Sequence, residues 1–112
     1  FSERDQYLNE HRRSWETIQC SHALANGCYV AAANRVGEEV ESGEQGIEFW
    51  GGSFVADPTG RIIAQASTQN PEVLVATLDR RLIETQRTNW PFFRDRRIDA
   101  YSDLYKRYGE PL

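Results

Sequence analysis

The sequence has no methionine and a single lysine, Lys106, among its 112 residues. The missing methionine leads to the expectation of a processed chain, a proteolytic fragment or part of a gene, in which Phe1 is not a translation start. The polar run Ser2-Glu3-Arg4-Asp5-Gln6 is neither a signal peptide nor a basic transit peptide. The lysine stands near the C-terminus, so a mechanism that needs a lysine in the body of the domain is not expected of this chain. Long apolar runs are lacking too. The longest, Cys28 to Ala33, falls far short of the roughly 20 residues that span a bilayer, so no membrane partner is expected.

Cysteine is scarce. Cys20 and Cys28 are too few for a disulfide framework. Cys20 falls in a helical pattern and Cys28 opens an apolar strand, so both read as buried free thiols of a cytoplasmic protein. His11, Cys20 and His22 lack the close fourth ligand or CxxC pair of a zinc site, and no metal is expected. Excess positive charge is also absent. With 17 acidic against 13 basic residues the net charge is −4, which disfavours nucleic acid because phosphate binding needs a cationic face. Arg94, Arg96 and Arg97 cluster, but Asp95 and Asp99 interleave, as in a solvated, ion-paired segment.

What is present reads as helix, four strands, helix and tail. Leu8, Trp15, Ile18 and His22 are spaced for one side of a helix over Tyr7 to Leu24, stopped by Asn26-Gly27. The run from Cys28 is apolar up to Asn34, as in a strand covered on both faces. Gly37 breaks it, and Glu38 to Glu48 follows as a loop or a solvent-exposed hairpin connection. Phe49 to Asp57 reads as a second strand with Gly51 and Gly52 inside it, a sign of a bulge or close backbone approach. Asp57-Pro58-Thr59-Gly60 has the residues of a tight turn, and Arg61 to Ser67 is the returning strand. Glu72 to Leu78 is expected as a fourth strand. Asp79 fits the N-cap of a helix ending before Trp90-Pro91. In the tail, Ala100, Tyr101, Leu104, Tyr105 and Tyr108 have helical spacing. Consecutive strands point to an α+β fold with mainly antiparallel pairing and flanking helices. One face of the sheet then has no cover within the chain, which implies a missing partner.

Three segments in order resemble one family. His22-Ala23-Leu24-Ala25-Asn26 with Asn34-Arg35-Val36-Gly37 is similar to a helix ending in Asn followed by a strand ending in Asn-Arg-x-Gly. Phe49-Trp50-Gly51-Gly52-Ser53 leading to Asp57-Pro58-Thr59-Gly60 resembles the next hairpin. Trp90 to Tyr101 resembles a C-terminal signature. The family is the carbon–nitrogen hydrolases of the nitrilase superfamily, and the resemblance is greatest to its N-carbamoylputrescine amidase branch. It implies that residues 1–112 are the C-terminal portion of a single domain, part of an α-β-β-α sandwich that homo-oligomerises through its helices and tail. It also implies a Cys-Glu-Lys catalytic set working on a small amide without cofactor. None of the three maps here: Cys20 and Cys28 stand in the wrong contexts and Lys106 lies past every matching position. The missing N-terminal part is therefore expected to carry catalysis, and no residue of this chain is assigned as catalytic.

Two groups remain as candidates. Glu38, Glu39, Glu41, Glu44 and Glu48 would attract a substrate ammonium if they lay at a pocket mouth; otherwise they form a solvated connection. Trp15, His22, Trp90, Phe92, Phe93 and Tyr101 are candidates for a subunit interface, against simple packing on the chain's own sheet. Nucleic-acid stacking by Trp90, Phe92 and Phe93 is disfavoured by the acidic surroundings. The expected function is that of an amidohydrolase fragment, with a non-catalytic assembly module, or a hydrolase of another carbamoyl or aliphatic amide, as the alternatives.

Overall fold

The computed structural model describes residues 3–43 and 45–109, except the side chains of Glu3 and Arg4. The first helix, α1 (Glu3–Asn26), begins earlier than its apolar spacing indicates. It stops where expected. Gly27 has φ +56°, its N–H reaches Leu24 O at 3.3 Å, and the Cys28 N–H reaches Ala23 O at 3.1 Å. This paired closure uses the left-handed residue that glycine provides. Arg87 then donates from Nε and Nη2 to Asn26 O, both at 3.3 Å, and takes up a further carbonyl left open at the helix end.

Three strands follow as one antiparallel sheet in the order β1–β4–β5: β1 (Val30–Ala32), β4 (Phe54–Ala56) and β5 (Ile62–Gln65). Val30 pairs with Ala56 and Ala32 with Phe54. Helix α1 packs on β1 and β4, and the core lies between them. Ala23, Phe54 and Ala56 are buried, with Trp15, Cys20, Val30, Ala32 and Ile62 packed around them. Alanine on the helix lets its backbone approach the sheet, and the Trp15 ring meets Phe54 edge-on at 5.3 Å and 87°, a favoured aromatic arrangement. Ile18 and His22, expected on the same side as Trp15, are exposed instead. The inward stripe is Leu8, Arg12, Trp15, Cys20 and Ala23. Ala31 and Ile63 are exposed on the sheet, in keeping with a face that has no cover within the described residues.

The acidic stretch is the hairpin connection rather than the loop. Strands β2 (Val36–Glu39) and β3 (Ile47–Trp50) pair antiparallel as a separate two-stranded sheet. The expected strand Phe49 to Asp57 is therefore two strands, β3 and β4, divided by Gly51 and Gly52 at φ +58° and +65°. The Gly51 N–H donates to Arg35 O at 2.7 Å and the Gly52 N–H to Ser67 O at 3.0 Å. A Cβ on Gly51 would stand 2.8 Å from Ser67 O, so close approach and backbone angle both require glycine there.

The turn at Asp57 to Gly60 and the helix α2 (Arg80–Asn89), capped by Asp79 Oδ1 accepting from Arg81 N at 3.0 Å, lie where expected. Two expectations fail. Glu72 to Leu78 is extended but belongs to no ladder among the described residues, because β1 and β5 do not bond to it. The tail is not one helix but two short 3-10 turns, Ile98–Ala100 and Ser102–Tyr105. Leu104 and Tyr105, 78% and 96% exposed, are left uncovered by the described residues, and a helix this short needs tertiary support.

Candidate functional site

The chemistry gathers at one end of the sheet, where β1 and β5 end and β4 begins. Asn34 follows β1 and Ser53 precedes β4. The Asn34 N–H donates to Ser53 Oγ at 2.8 Å, the Ser53 hydroxyl donates to Asn34 O at 3.3 Å, and Asn34 Nδ2 donates to Gly51 O at 2.9 Å. Asn34 Oδ1 in turn accepts from the Arg35 N–H at 2.9 Å. One asparagine thus joins the end of β1 to the glycine corner and aims the β2–β3 hairpin. The motif sequence marks both residues without revealing this clasp, since the bonds cross 19 positions.

Beside the clasp is an open hollow of about 370 Å³ lined by Asn34, Arg35, Glu39, Ser53, Ser67 and Glu72, among others. Arg35 pairs with Glu39 and lies over the Phe49 ring at 4.7 Å, which fixes the base of the hairpin. A second hollow, about 290 Å³, lies between α1 and the hairpin, with Asp5, Asn9, Arg12, Glu48, Trp50 and Gln69 in its wall. Trp50 Nε1 is buried and has no hydrogen-bond partner among the described residues.

The four candidate glutamates among the described residues do not converge. Glu38 and Glu48 face each other across the hairpin, an arrangement of like charges that costs stability. Glu39 is bound to Arg35, Glu41 is exposed, and Glu44 lies outside the described residues. Of the four described, Glu39 and Glu48 line these hollows. The interface candidates also divide. Trp15 sits in the core against Phe54 and Trp50. His22 is exposed on α1, and Trp90, Phe92, Phe93 and Tyr101 are 56%, 45%, 45% and 40% exposed. Trp90 stacks edge-on with Phe92 at 5.7 Å. Two arginines of the tail cluster are ion-paired as expected, Arg94 with Asp95 and Arg97 with Asp99, while Arg96 Nε donates to Phe93 O at 3.0 Å.

Burial and then the Glu16 carboxylate push the Cys20 thiol up from its ordinary value, which lowers its thiolate fraction. Glu16 itself is held by Arg12 Nε at 3.1 Å and Gln65 Nε2 at 2.8 Å. Iodoacetamide at neutral pH is therefore expected to alkylate Cys20 several-fold more slowly in the folded chain than in urea. Glu16→Gln is expected to narrow that gap, and mass mapping of the labelled peptide would read both rates. Among the described residues, no three His, Cys, Asp or Glu side chains gather to hold a metal ion. No helix among them is long and apolar enough to cross a membrane.

This helix-on-antiparallel-sheet unit, with its Asn-Arg and Gly-Gly-Ser corner, has clear relatives. The family model for carbon–nitrogen hydrolases matches residues 6–88, and the chain belongs to that family. A crystal structure of a carbon–nitrogen hydrolase from Helicobacter pylori G27 superposes with a TM-score of 0.85 at 44% identity, over 97% of this chain and 37% of that one. The fold is accordingly nitrilase-like, part of an α-β-β-α sandwich. Similar curated proteins include an N-carbamoylputrescine amidase of Arabidopsis thaliana, 42% identical over 94% of this chain and 36% of that protein. One from Oryza sativa subsp. japonica is also 42% identical, over 88% of this chain and 34% of that protein. A citrullinase of Francisella tularensis is 35% identical over 84% of this chain and 32% of that protein. The chain spans about a third of the length of these relatives.

Proposed function

We propose that this chain is the C-terminal third of a cofactor-independent amidohydrolase that converts N-carbamoylputrescine and water to putrescine, ammonia and carbon dioxide. The observation that carries this reading is the 42% identity to the Arabidopsis N-carbamoylputrescine amidase across nearly the whole chain. Catalysis belongs to the remaining two thirds of the parent. There a cysteine thiolate attacks the ureido carbonyl, a glutamate takes and returns its proton, and a lysine stabilises the oxyanion. This agrees with the properties of the chain in hand, whose Cys20 thiol is pushed up and whose single lysine sits in the tail, paired with Asp103 at 3.4 Å. The chain's own share is structural: the Asn34–Ser53 clasp holds an acidic hairpin beside the hollows described above. Glu48 at the rim of the smaller hollow favours a substrate of net positive charge over a zwitterion. That difference selects N-carbamoylputrescine over citrulline, the substrate named for the Francisella relative.

The parent is proposed to act as a homo-oligomer, with the exposed faces of α1 and of the aromatic tail meeting a neighbouring subunit. Two unpaired thiols suit a reducing cytoplasm.

The test is ammonia release from N-carbamoylputrescine and from L-citrulline. Two preparations are compared: the isolated chain, and a chimera in which it replaces the matched third of the Arabidopsis amidase. The isolated chain is expected to be inactive and the chimera active, with N-carbamoylputrescine preferred by at least about tenfold in kcat/KM, about 1.4 kcal/mol of discrimination. Turnover by the pure isolated chain would sink the division of labour. Equal use of citrulline would sink the substrate assignment, and a folded chimera inactive on both would favour a non-catalytic assembly module.

A further inference from the structure

Two walls of the smaller hollow meet at the glycine corner. One wall is β3, where Glu48 and Trp50 lie on the same face of the strand, by its alternation, and both line the hollow. The other is the turn after β5, which brings Thr68 and Gln69 into the same lining. Ser67 Oγ holds that turn by accepting the Gln69 and Asn70 N–H groups, both at 3.0 Å. Helix α1 closes the third side with Asn9 and Arg12.

Backbone contact sets the distance between the first two walls. The Gly52 N–H donates to Ser67 O, and a Cβ on Gly51 would meet that same oxygen. One side chain steadies this corner from behind. Asn34 Nδ2 donates to Gly51 O at 2.9 Å. Asn34 Oδ1 accepts the Arg35 N–H at 2.9 Å, and Arg35 O accepts the Gly51 N–H at 2.7 Å. Both polar groups of the Gly51 backbone are thus fixed through Asn34 and its neighbour. Asn34 itself stands outside the lining of the smaller hollow, so whatever it does there it does through the corner.

We infer that Asn34 is a positioning residue for substrate selection: through Gly51 it sets where the Glu48 carboxylate stands in the hollow. The attraction of a carboxylate for an ammonium falls with their separation and with the water admitted between them. A corner released from Asn34 therefore weakens the hold on the charged end of the substrate. The bond-breaking step, carried by the other two thirds of the parent, is left as it was. The inference rests on the reading of Glu48 as the group that favours a cationic substrate, and it adds which residue places that group.

Steady-state kinetics of the chimera described above test it. The substrates are N-carbamoylputrescine and N-butylurea, which has the same ureido group and carbon chain but no ammonium. Asn34→Ala removes the bonds to Gly51 O and the Arg35 N–H, and leaves the Asn34 backbone bonds to Ser53 Oγ in place. It is expected to raise KM for N-carbamoylputrescine about tenfold with kcat held within about twofold, and to leave kcat/KM for N-butylurea unchanged. In a Glu48→Gln background the same substitution is expected to raise KM no further, because residues that act as one unit are not additive. Equal losses on both substrates would make Asn34 a purely structural residue and overturn the inference. Unchanged kinetics, or full additivity with Glu48→Gln, would overturn it as well. Should Asn34→Ala not fold, Ser53→Ala, which removes the hydroxyl bonded to both Asn34 backbone groups, is read in the same way; failure of both to fold would count against the inference. A Glu48→Gln effect on KM without an Asn34→Ala effect would remove the inference alone. Glu48→Gln without effect, or a chimera that turns over neither substrate, would remove the ammonium reading and the inference with it.

Discussion

Phe54→Ala is expected to destabilise the fold by about 3–5 kcal/mol, the usual cost of emptying a buried aromatic site. Phe54 is 1% exposed and is the largest fully buried side chain of a very small core, so its neighbours Ala23 and Ala56 cannot move in to fill the space. The substitution also removes the edge-on contact with Trp15, worth about 0.5–1.5 kcal/mol beyond its buried area. Against a typical total of about 5–15 kcal/mol, such a loss leaves little margin. Urea unfolding followed by Trp15 and Trp50 fluorescence would read it. Phe54→Leu, which keeps most of the volume, is expected to cost less than about 1.5 kcal/mol. A change below about 1 kcal/mol for Phe54→Ala would show that the core forms elsewhere.

Asp57→Ala is the second large effect. One oxygen, Oδ1, accepts from the Thr59 N–H at 2.8 Å, the Thr59 hydroxyl at 2.6 Å and the Arg61 N–H at 3.2 Å. Bonds to a charged acceptor contribute about 1.5–3 kcal/mol, and losing this set is expected to cost at least that range. Burial pushes the Asp57 carboxyl up, but the Thr59 hydroxyl, the Arg61 and Thr59 amides and the Arg61 charge together outweigh it. Its folded value therefore lies below the ordinary one. The resulting stability is complete above the unfolded carboxylate pKa, about 3.9, and is lost as pH falls through the lower folded value. Wild-type unfolding free energy should decline across that acid window, and the decline should be shallower for Asp57→Asn, which keeps an acceptor but has no charge to lose. Parallel acid slopes for the two proteins would remove Asp57 from the account.

Local signals carried much of this fold. Asn26-Gly27 marks the end of α1, Asp57-Pro58-Thr59-Gly60 the β4–β5 turn, and Asp79 with Trp90-Pro91 the limits of α2, because each depends on backbone angles and hydrogen bonds within a few residues. The β2–β3 hairpin was harder to see, since glutamate is depleted in strands. What holds it, the Arg35–Glu39 pair and Arg35 over Phe49, is an arrangement of side chains in space. Glu72 to Leu78 shows the opposite case. Its composition reads as a strand, but a ladder takes two strands, and no described residue supplies the second. The tail repeats that lesson at Leu104 and Tyr105, where helical spacing without a surface to pack on among the described residues yields 3-10 turns. On α1, periodicity gives a stripe but not how far the sheet beneath it extends, so Trp15 is covered while Ile18 and His22 are not. As for the site, the sequence names Asn34 and Ser53 as motif residues, while their mutual hydrogen bonds required the fold.

At the corner between β3 and β4, hydrogen-bonding allegiance passes from one sheet to the other across a single peptide link. Gly51 answers to Arg35 on the hairpin side and Gly52 to Ser67 on the sheet side. Only Gly51, Gly52 and Ser53 separate β3 from β4, and a connection this short has little slack. The acidic hairpin therefore behaves as a lever clamped at its base rather than a flap on a tether: displacement of its tip loads the Asn34–Ser53 clasp directly, and whatever presses on the far strand is felt at the sheet.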